Sequence, residues 1–129
     1  MKNKKEKKIT CIAYLATKGE FRGVEAREKQ QLRYISDYAK AHNIEIVKVM
    51  HRNVLGQADV NKHFDLMVNM IKKDQIDGII TLNMLAIASD EADAYYKVGR
   101  VKAAGGVMVT VDEGRLGMYI NRGALWEKN

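Results

Sequence analysis

Ile9-Thr10-Cys11-Ile12-Ala13-Tyr14-Leu15, followed at once by Ala16-Thr17-Lys18-Gly19, is the stretch that decides the fold of this chain. The first seven residues form a near-continuous apolar run rich in β-formers, without the polar alternation of a strand that keeps one face wet. Such a run predicts a strand covered on both faces, as in a mostly parallel sheet. It breaks into a charged, glycine-containing loop, the place where open α/β sheets bind their ligands.

Working outward, apolar runs alternate with helical patterns. Glu25 to His42 reads as a helix with Leu32, Ile35 and Ala39 on one stripe, and Glu45 to Met50 as a second strand. Phe64, Met67, Val68 and Ile71 then recur at the spacing of an amphipathic helix. Gly78 to Leu82 is a third strand. The next helix has Ser89 as its expected N-cap and Asp90, Glu91 and Asp93 where the helix dipole favours acids. Lys97, Arg100 and Lys102 lie toward its other end, and Gly105-Gly106 stops it. Val107 to Val111 is a fourth strand, and Leu116 to Ile120 is expected as a fifth, short or edge strand. This order predicts an α/β fold: an open, mostly parallel four- to five-stranded sheet with helices on both faces, joined by right-handed crossovers. Residues 1–8 are expected to be a basic disordered tail and 9–129 a single domain.

The composition is that of a soluble globular domain. The chain has 129 residues, 47% apolar and 29% charged, enough to bury a core. No apolar run approaches the roughly 20 residues of a membrane span, and no membrane partner is expected. The N-terminus lacks the apolar stretch of a signal peptide. The lone cysteine, Cys11, lies in the first apolar run, which suits a buried core residue and a reducing cytoplasm. Of the +6 formal charge, residues 1–8 supply +4 and the rest only +2. The body is therefore nearly balanced. The lysine-rich tail reads as a solvated end, with a non-specific electrostatic arm for DNA or RNA as the alternative.

Four loops at strand ends are candidate sites: Ala16 to Arg22, His51 to Gln57, Asn83 to Ala88 and Asp112 to Arg115. They carry no dinucleotide, Walker or nucleophile-elbow motif, and no zinc spacing. His42, His51 and His63 fall in different elements and read as surface or helix-terminal residues. No metal or cofactor is expected. Lys18, Arg22, His51 and Arg52, with Asn53, form a candidate basic pocket for an anion such as phosphate, with solvated loop residues as the alternative. Asp112 and Glu113 would oppose that pocket or pair with it. Tyr95 and Tyr96 are expected to pack in a core or dimer, and the methionines to fill the core.

Several short matches, in order, resemble the catalytic domain of serine recombinases (the resolvase/invertase family). Tyr14 fits that family's strand-end tyrosine, in a pattern of Tyr, any residue, Arg, a small residue and Ser. Gln30, Leu32 and Tyr38-Ala39 resemble its first helix. Val54-Leu55-Gly56 resembles its hydrophobic-Ser-Gly turn, and Asn61-Lys62-His63-Phe64 stands where Arg-Pro-x-Phe is expected. Met84 to Ser89 stands in place of Leu-Asp-Arg-Leu-Ser-Arg, and Gly106 to Gly114 resembles the last core strand with its glutamate-containing exit. The resemblance spans roughly residues 9–114 and implies a resolvase-like fold.

The resemblance also implies a chemistry whose residues are replaced. In that family a serine hydroxyl attacks a DNA phosphodiester, giving a phosphoserine linkage that is later reversed on a new partner strand. The alcohol is essential, and guanidinium groups hold the phosphoryl charge. Here the nucleophile position is Lys18, the arginine positions are Ala16, Asn61, Ala86 and Ser89, and an acidic position is His51. Thr17 is the nearest alcohol, but it points to the other strand face if the strand continues that far. Beyond the exit strand the sequence has only Met118 to Asn129, too short for the dimerisation helix and DNA-binding region of active members. Trp126 in that tail is expected to dock on the body or on a partner.

Three readings follow. The first is a catalytically inactive recombinase-like domain that self-associates or joins a recombinase–DNA complex of a mobile element. The second is a small-ligand or phosphate-binding domain using the strand-end pocket. The third is an enzyme that has repurposed Lys18 or His51 for acid–base or phosphoryl chemistry.

Overall fold

The computed structural model describes residues 8–16, 23–52 and 56–116. Five strands, β1 (Ile9–Leu15), β2 (Ile44–His51), β3 (Gly78–Thr81), β4 (Val107–Thr110) and β5 (Gly114–Leu116), form one sheet in the order β2-β1-β3-β4-β5. The first four are parallel and β5 is antiparallel to β4. Helices α1 (Val24–Ala41), α2 (Gln57–Lys72) and α3 (Glu91–Ala103) connect them. The expected α/β architecture is therefore present.

Strand order and crossover handedness together fix which face each helix covers. The chain moves one way from β1 to β2, then reverses across β1 to reach β3 and β4. Right-handed crossovers in opposite directions place their helices on opposite faces. Two separate cores show this. Cys11, Ala13, Leu15, Ile80 and Val109 pack with Ile35 and Ala39 of α1. Ile12, Tyr14, Ile79 and Met108 pack with Val60, Phe64, Met67 and Val68 of α2 and Val98 and Val101 of α3. Alternate residues of β1 thus enter alternate cores, as the two-residue period of a strand requires. Each large apolar side chain so buried contributes about 2 kcal/mol.

Strand β2 changes parity in mid-course. Cys11 pairs with Ile46 but Ile12 pairs with Lys48, so Val47 is an extra residue, a β-bulge on an edge strand. Before the bulge, Ile44 and Ile46 face the α1 core; after it, Val49 does, and Met50 turns to the other face. The extruded Val47 and exposed Lys48 also make β2 a poor template for a further strand.

Two boundaries differ from expectation. The N-cap of α3 is Asp90, not Ser89: its Oδ1 accepts from the Asp93 amide at 2.8 Å, while Ser89 donates its own amide to Asp93 Oδ2 at 2.9 Å. A carboxylate in the cap also gains from the helix dipole, which a hydroxyl does not. Strand β5 begins at Gly114, where φ is +82°, and is described only to Leu116, so residues 117–120 of the expected strand lie outside the described residues. Met67, Met84 and Met108 are fully buried, as expected of core filling, and so is Cys11.

Gly78 opens β3 because nothing larger fits. A Cβ there would lie 2.2 Å from the Val107 carbonyl oxygen, inside the adjacent strand. Gly78→Ala is expected to cost about 3 kcal/mol or more, since relief requires β3 and β4 to separate. Urea unfolding of the two proteins measures it.

Candidate functional site

The connection from β1 leaves toward β2 and that from β3 leaves toward β4, so the topological switch point lies between β1 and β3. A crevice is expected there, at the carboxyl ends of the strands. It is present as a cavity of about 250 Å³ lined by Ala16, Arg52, Leu82, Asn83, Leu85 and Ala86. Three strands send the residues that follow them to this place: Ala16 from β1, Arg52 from β2, and Leu82 and Asn83 from β3.

The rim is held by hydrogen bonds from loop to helix and loop to loop. Gln31, a buried residue of α1, clasps the Ala16 backbone, donating to its carbonyl at 3.0 Å and accepting from its amide at 2.9 Å. The Arg52 amide donates to the Leu15 carbonyl at 2.8 Å. Asn83 donates its side-chain amide to Asp112 Oδ2 at 3.2 Å, and Glu113 accepts from the Thr110 hydroxyl at 2.7 Å. Both acids of the exit loop are thereby engaged. Gln57 joins the start of α2 to the loop after β3, donating to the Ile87 carbonyl at 3.1 Å.

The site residues read from the sequence divide among several places. Ala16, Ala86 and Arg52 come together in the cavity. His51 does not join them. The parity change at Val47 puts it opposite Leu15 on the α1 face, where its Nδ1 lies 2.8 Å from Glu28 Oε1. The carboxylate is an acceptor, so the hydrogen of this bond is on Nδ1, in a side chain 45% exposed. Glu28 is buried, and its second oxygen has no hydrogen-bond partner among the described residues. Asn61 stands on α2, with its Oδ1 accepting from Gln57, and lines a different cavity between α2 and α3. Ser89 supports the cap of α3. Lys18 and Arg22, like Thr17, Asn53, Val54, Leu55 and Trp126, lie outside the described residues.

Three features escaped the sequence reading. His63 is neither a surface nor a helix-terminal residue in function: from the middle of α2 its Nδ1 meets the Tyr14 hydroxyl at 2.7 Å. Burial pushes the Tyr14 phenol up to about 12, against a weaker opposing pull from Arg52. The phenol hydroxyl and His63 Nδ1 are each other's hydrogen-bond partners among the described residues. Glu28 and Gln31 were also missed, because polar residues three apart on a helix read as a solvated face. His42 matches expectation as the C-cap of α1, stacked on Tyr38 at 3.9 Å between ring centroids.

Solved structures with this architecture are found among site-specific recombinases. A resolvase family site-specific recombinase from Streptococcus pneumoniae superposes with a TM-score of 0.68 at 18% identity, over 83% of this chain and 74% of that one. This chain has the fold of a serine recombinase catalytic domain. The C-terminal catalytic domain of ISC1926 TnpA, an IS607-like serine recombinase, matches with a TM-score of 0.63 at 14% identity, over 80% of this chain and 70% of that one. The N-terminal catalytic domain of TP901-1 integrase matches with a TM-score of 0.65 at 12% identity, over 81% and 78%. No protein-family model and no curated protein matches the sequence. Among the described residues of this recombinase-like domain, no helix is long and apolar enough to cross a membrane, and no cluster of three or more metal-ligating side chains occurs.

The buried acids of β1 couple folding to alkaline pH. Burial raises both the Tyr14 phenol, from 10.0, and the Cys11 thiol, from 9.0, to about 12. Above those ordinary values the unfolded chain binds fewer protons than the folded one, so folding stability falls as pH rises. Between pH 10 and 12 stability is expected to decline, and in Tyr14→Phe to decline less steeply. Urea midpoints at closely spaced pH values test this.

Proposed function

We propose that this recombinase-like domain does not carry out strand exchange and acts by association, with a second copy or with a recombinase–DNA complex of a mobile element. The observation that carries this reading is the lining of the switch-point cavity. Phosphoryl transfer from DNA needs an alcohol and several fixed guanidinium groups around the phosphate. Among the described residues the lining offers no hydroxyl and a single arginine, Arg52, with methyl side chains at Ala16 and Ala86. In sequence, Lys18 occupies the position where the resemblance calls for the serine. An ammonium supplies charge but no oxygen nucleophile, and it lacks the bidentate fork of arginine.

The shape of the same cavity supports a second reading, a small anion bound at the switch point. Its polar groups are the Arg52 guanidinium and the Asn83 amide, and its walls are otherwise apolar. That mixture suits a small ligand with one anionic end.

Incubation with supercoiled plasmid followed by a denaturing gel tests the first reading. Intact supercoiled DNA and no protein–DNA adduct are expected; an adduct that survives denaturation would overturn it. Light scattering should show a dimer at micromolar concentration, unchanged by Lys18→Ala. A monomer stabilised by phosphate, with the effect lost in Lys18→Ala, would instead favour the second reading. Any DNA affinity should weaken without residues 1–8, and the slope of log K against log salt should become shallower by up to about four.

A further inference from the structure

A second cavity, of about 230 Å³, lies between α2 and α3, away from the strand ends. Phe64 forms its buried wall, and Lys97 and Arg100 of α3 line it from one side. Lys97 is only 2% exposed, so its charge is held inside the protein. Its Nζ donates to Asp93 Oδ2 at 2.5 Å and stands 5.5 Å from the Phe64 ring centroid. Burial opposes the charge of Asp93, but the hydrogen bonds from Lys97 and Ser89 and the Lys97 charge outweigh it and keep the carboxyl below its ordinary range.

The donors here exceed the acceptors. An ammonium has three N–H groups, and Lys97 has one acceptor among the described residues. Asp93 Oδ2 is already shared with the Ser89 amide and hydroxyl. Arg100 gives one Nη1 bond to Asp65 at 2.5 Å, and its Cζ lies 5.3 Å from the Phe64 ring centroid and 5.8 Å from that of Tyr96. Tyr96 is a second side-chain partner of Arg100, and the five guanidinium N–H groups still outnumber what Asp65 and Tyr96 accept. A buried cation that borders a void with unused donors gains most from an oxyanion, because charge-assisted hydrogen bonds replace unmet ones. The two carboxylates leave the cavity formally neutral, which limits affinity and makes Asp65 the competitor for Arg100.

We propose that the α2–α3 cavity is a binding site for a small oxyanion, phosphate or carboxylate, held by Lys97 and Arg100 against the Phe64 wall. Tyr96, 59% exposed, also lines the cavity and offers a ring to the rest of a larger ligand. This site is independent of the switch-point cavity and of its proposed role.

Amide NMR spectra titrated with inorganic phosphate and, separately, with acetate, against chloride at matched ionic strength, test it. Shifts should concentrate at Asn61 to Asp65 and Asp93 to Arg100. Arg100→Gln should weaken binding at least about fivefold, and Asp65→Asn should strengthen it about twofold or more, because the guanidinium loses its internal competitor. Phosphate and acetate arms that both respond indicate oxyanion recognition; one that responds alone assigns the class. Shifts confined to residues around Ala16, Arg52 and Asn83, equal shifts in chloride, or an unchanged affinity in both variants would overturn the proposal. Both substitutions are at solvent-accessible side chains, so loss of fold does not obscure the result.

Discussion

The complete burial of β1 on both faces is the constraint from which the rest of the structure follows. Every residue from Cys11 to Leu15 is inaccessible to solvent, so each must find an apolar layer above or below the sheet. Alternation leaves no choice about which: odd positions meet α1, and even positions meet α2 and α3. A strand with such neighbours on both faces must also have strands on both edges, or its backbone would be left unpaired. β2 and β3 fill those edges. The reversal of chain direction around β1 then creates the switch point, and with it the cavity. The candidate site is thus a consequence of where the most apolar strand had to go.

The same parity explains why two basic residues adjacent in sequence part company. Without the extra residue at Val47, His51 would face α2 and Arg52 would face α1. The bulge exchanges them, so the imidazole meets the buried Glu28 carboxylate while Arg52 reaches the cavity. A one-residue change of register inverts every later side chain of a strand. The exchange brings the buried Glu28 carboxylate into hydrogen-bond contact with the His51 imidazole. It also leaves the cavity with a permanently charged group in place of a titratable one. The character of both places depends on a bulge that lies several residues away from either.

What was legible in the sequence was whatever apolar spacing controls. The continuous run at Ile9 to Leu15, the i, i+3, i+4, i+7 set in α2 and the strand at Gly78 all appear where hydrophobic periodicity puts them. The gathering of Ala16 and Ala86 followed from loop order alone. Three things lay beyond that reading. Val47 is an apolar β-former like Ile46 and Val49, so nothing in residue type distinguishes an extruded valine from a paired one. Glu28, Gln31 and Lys97 are polar yet buried, because each has a partner distant in sequence or a ring to lie against. The Tyr14–His63 bond joins residues 49 apart and follows from the packing of α2 on β1, which periodicity does not specify. The Ser89 and Asp90 exchange is of another kind: both are good caps, and the carboxylate prevails because it satisfies the Asp93 amide and complements the dipole at once.

The cavity exists because of what is small around it. Ala16 and Ala86 end in methyl groups, and longer side chains at either position would extend into the space that Arg52 now borders. Gln31 fixes Ala16 through its backbone rather than its side chain, so the position of this loop residue is held whatever its side chain does. Tyr14 and His63 brace the strand beneath from the other face. Among the described residues, this recombinase-like fold is therefore braced around the cavity by backbone and neutral side-chain contacts.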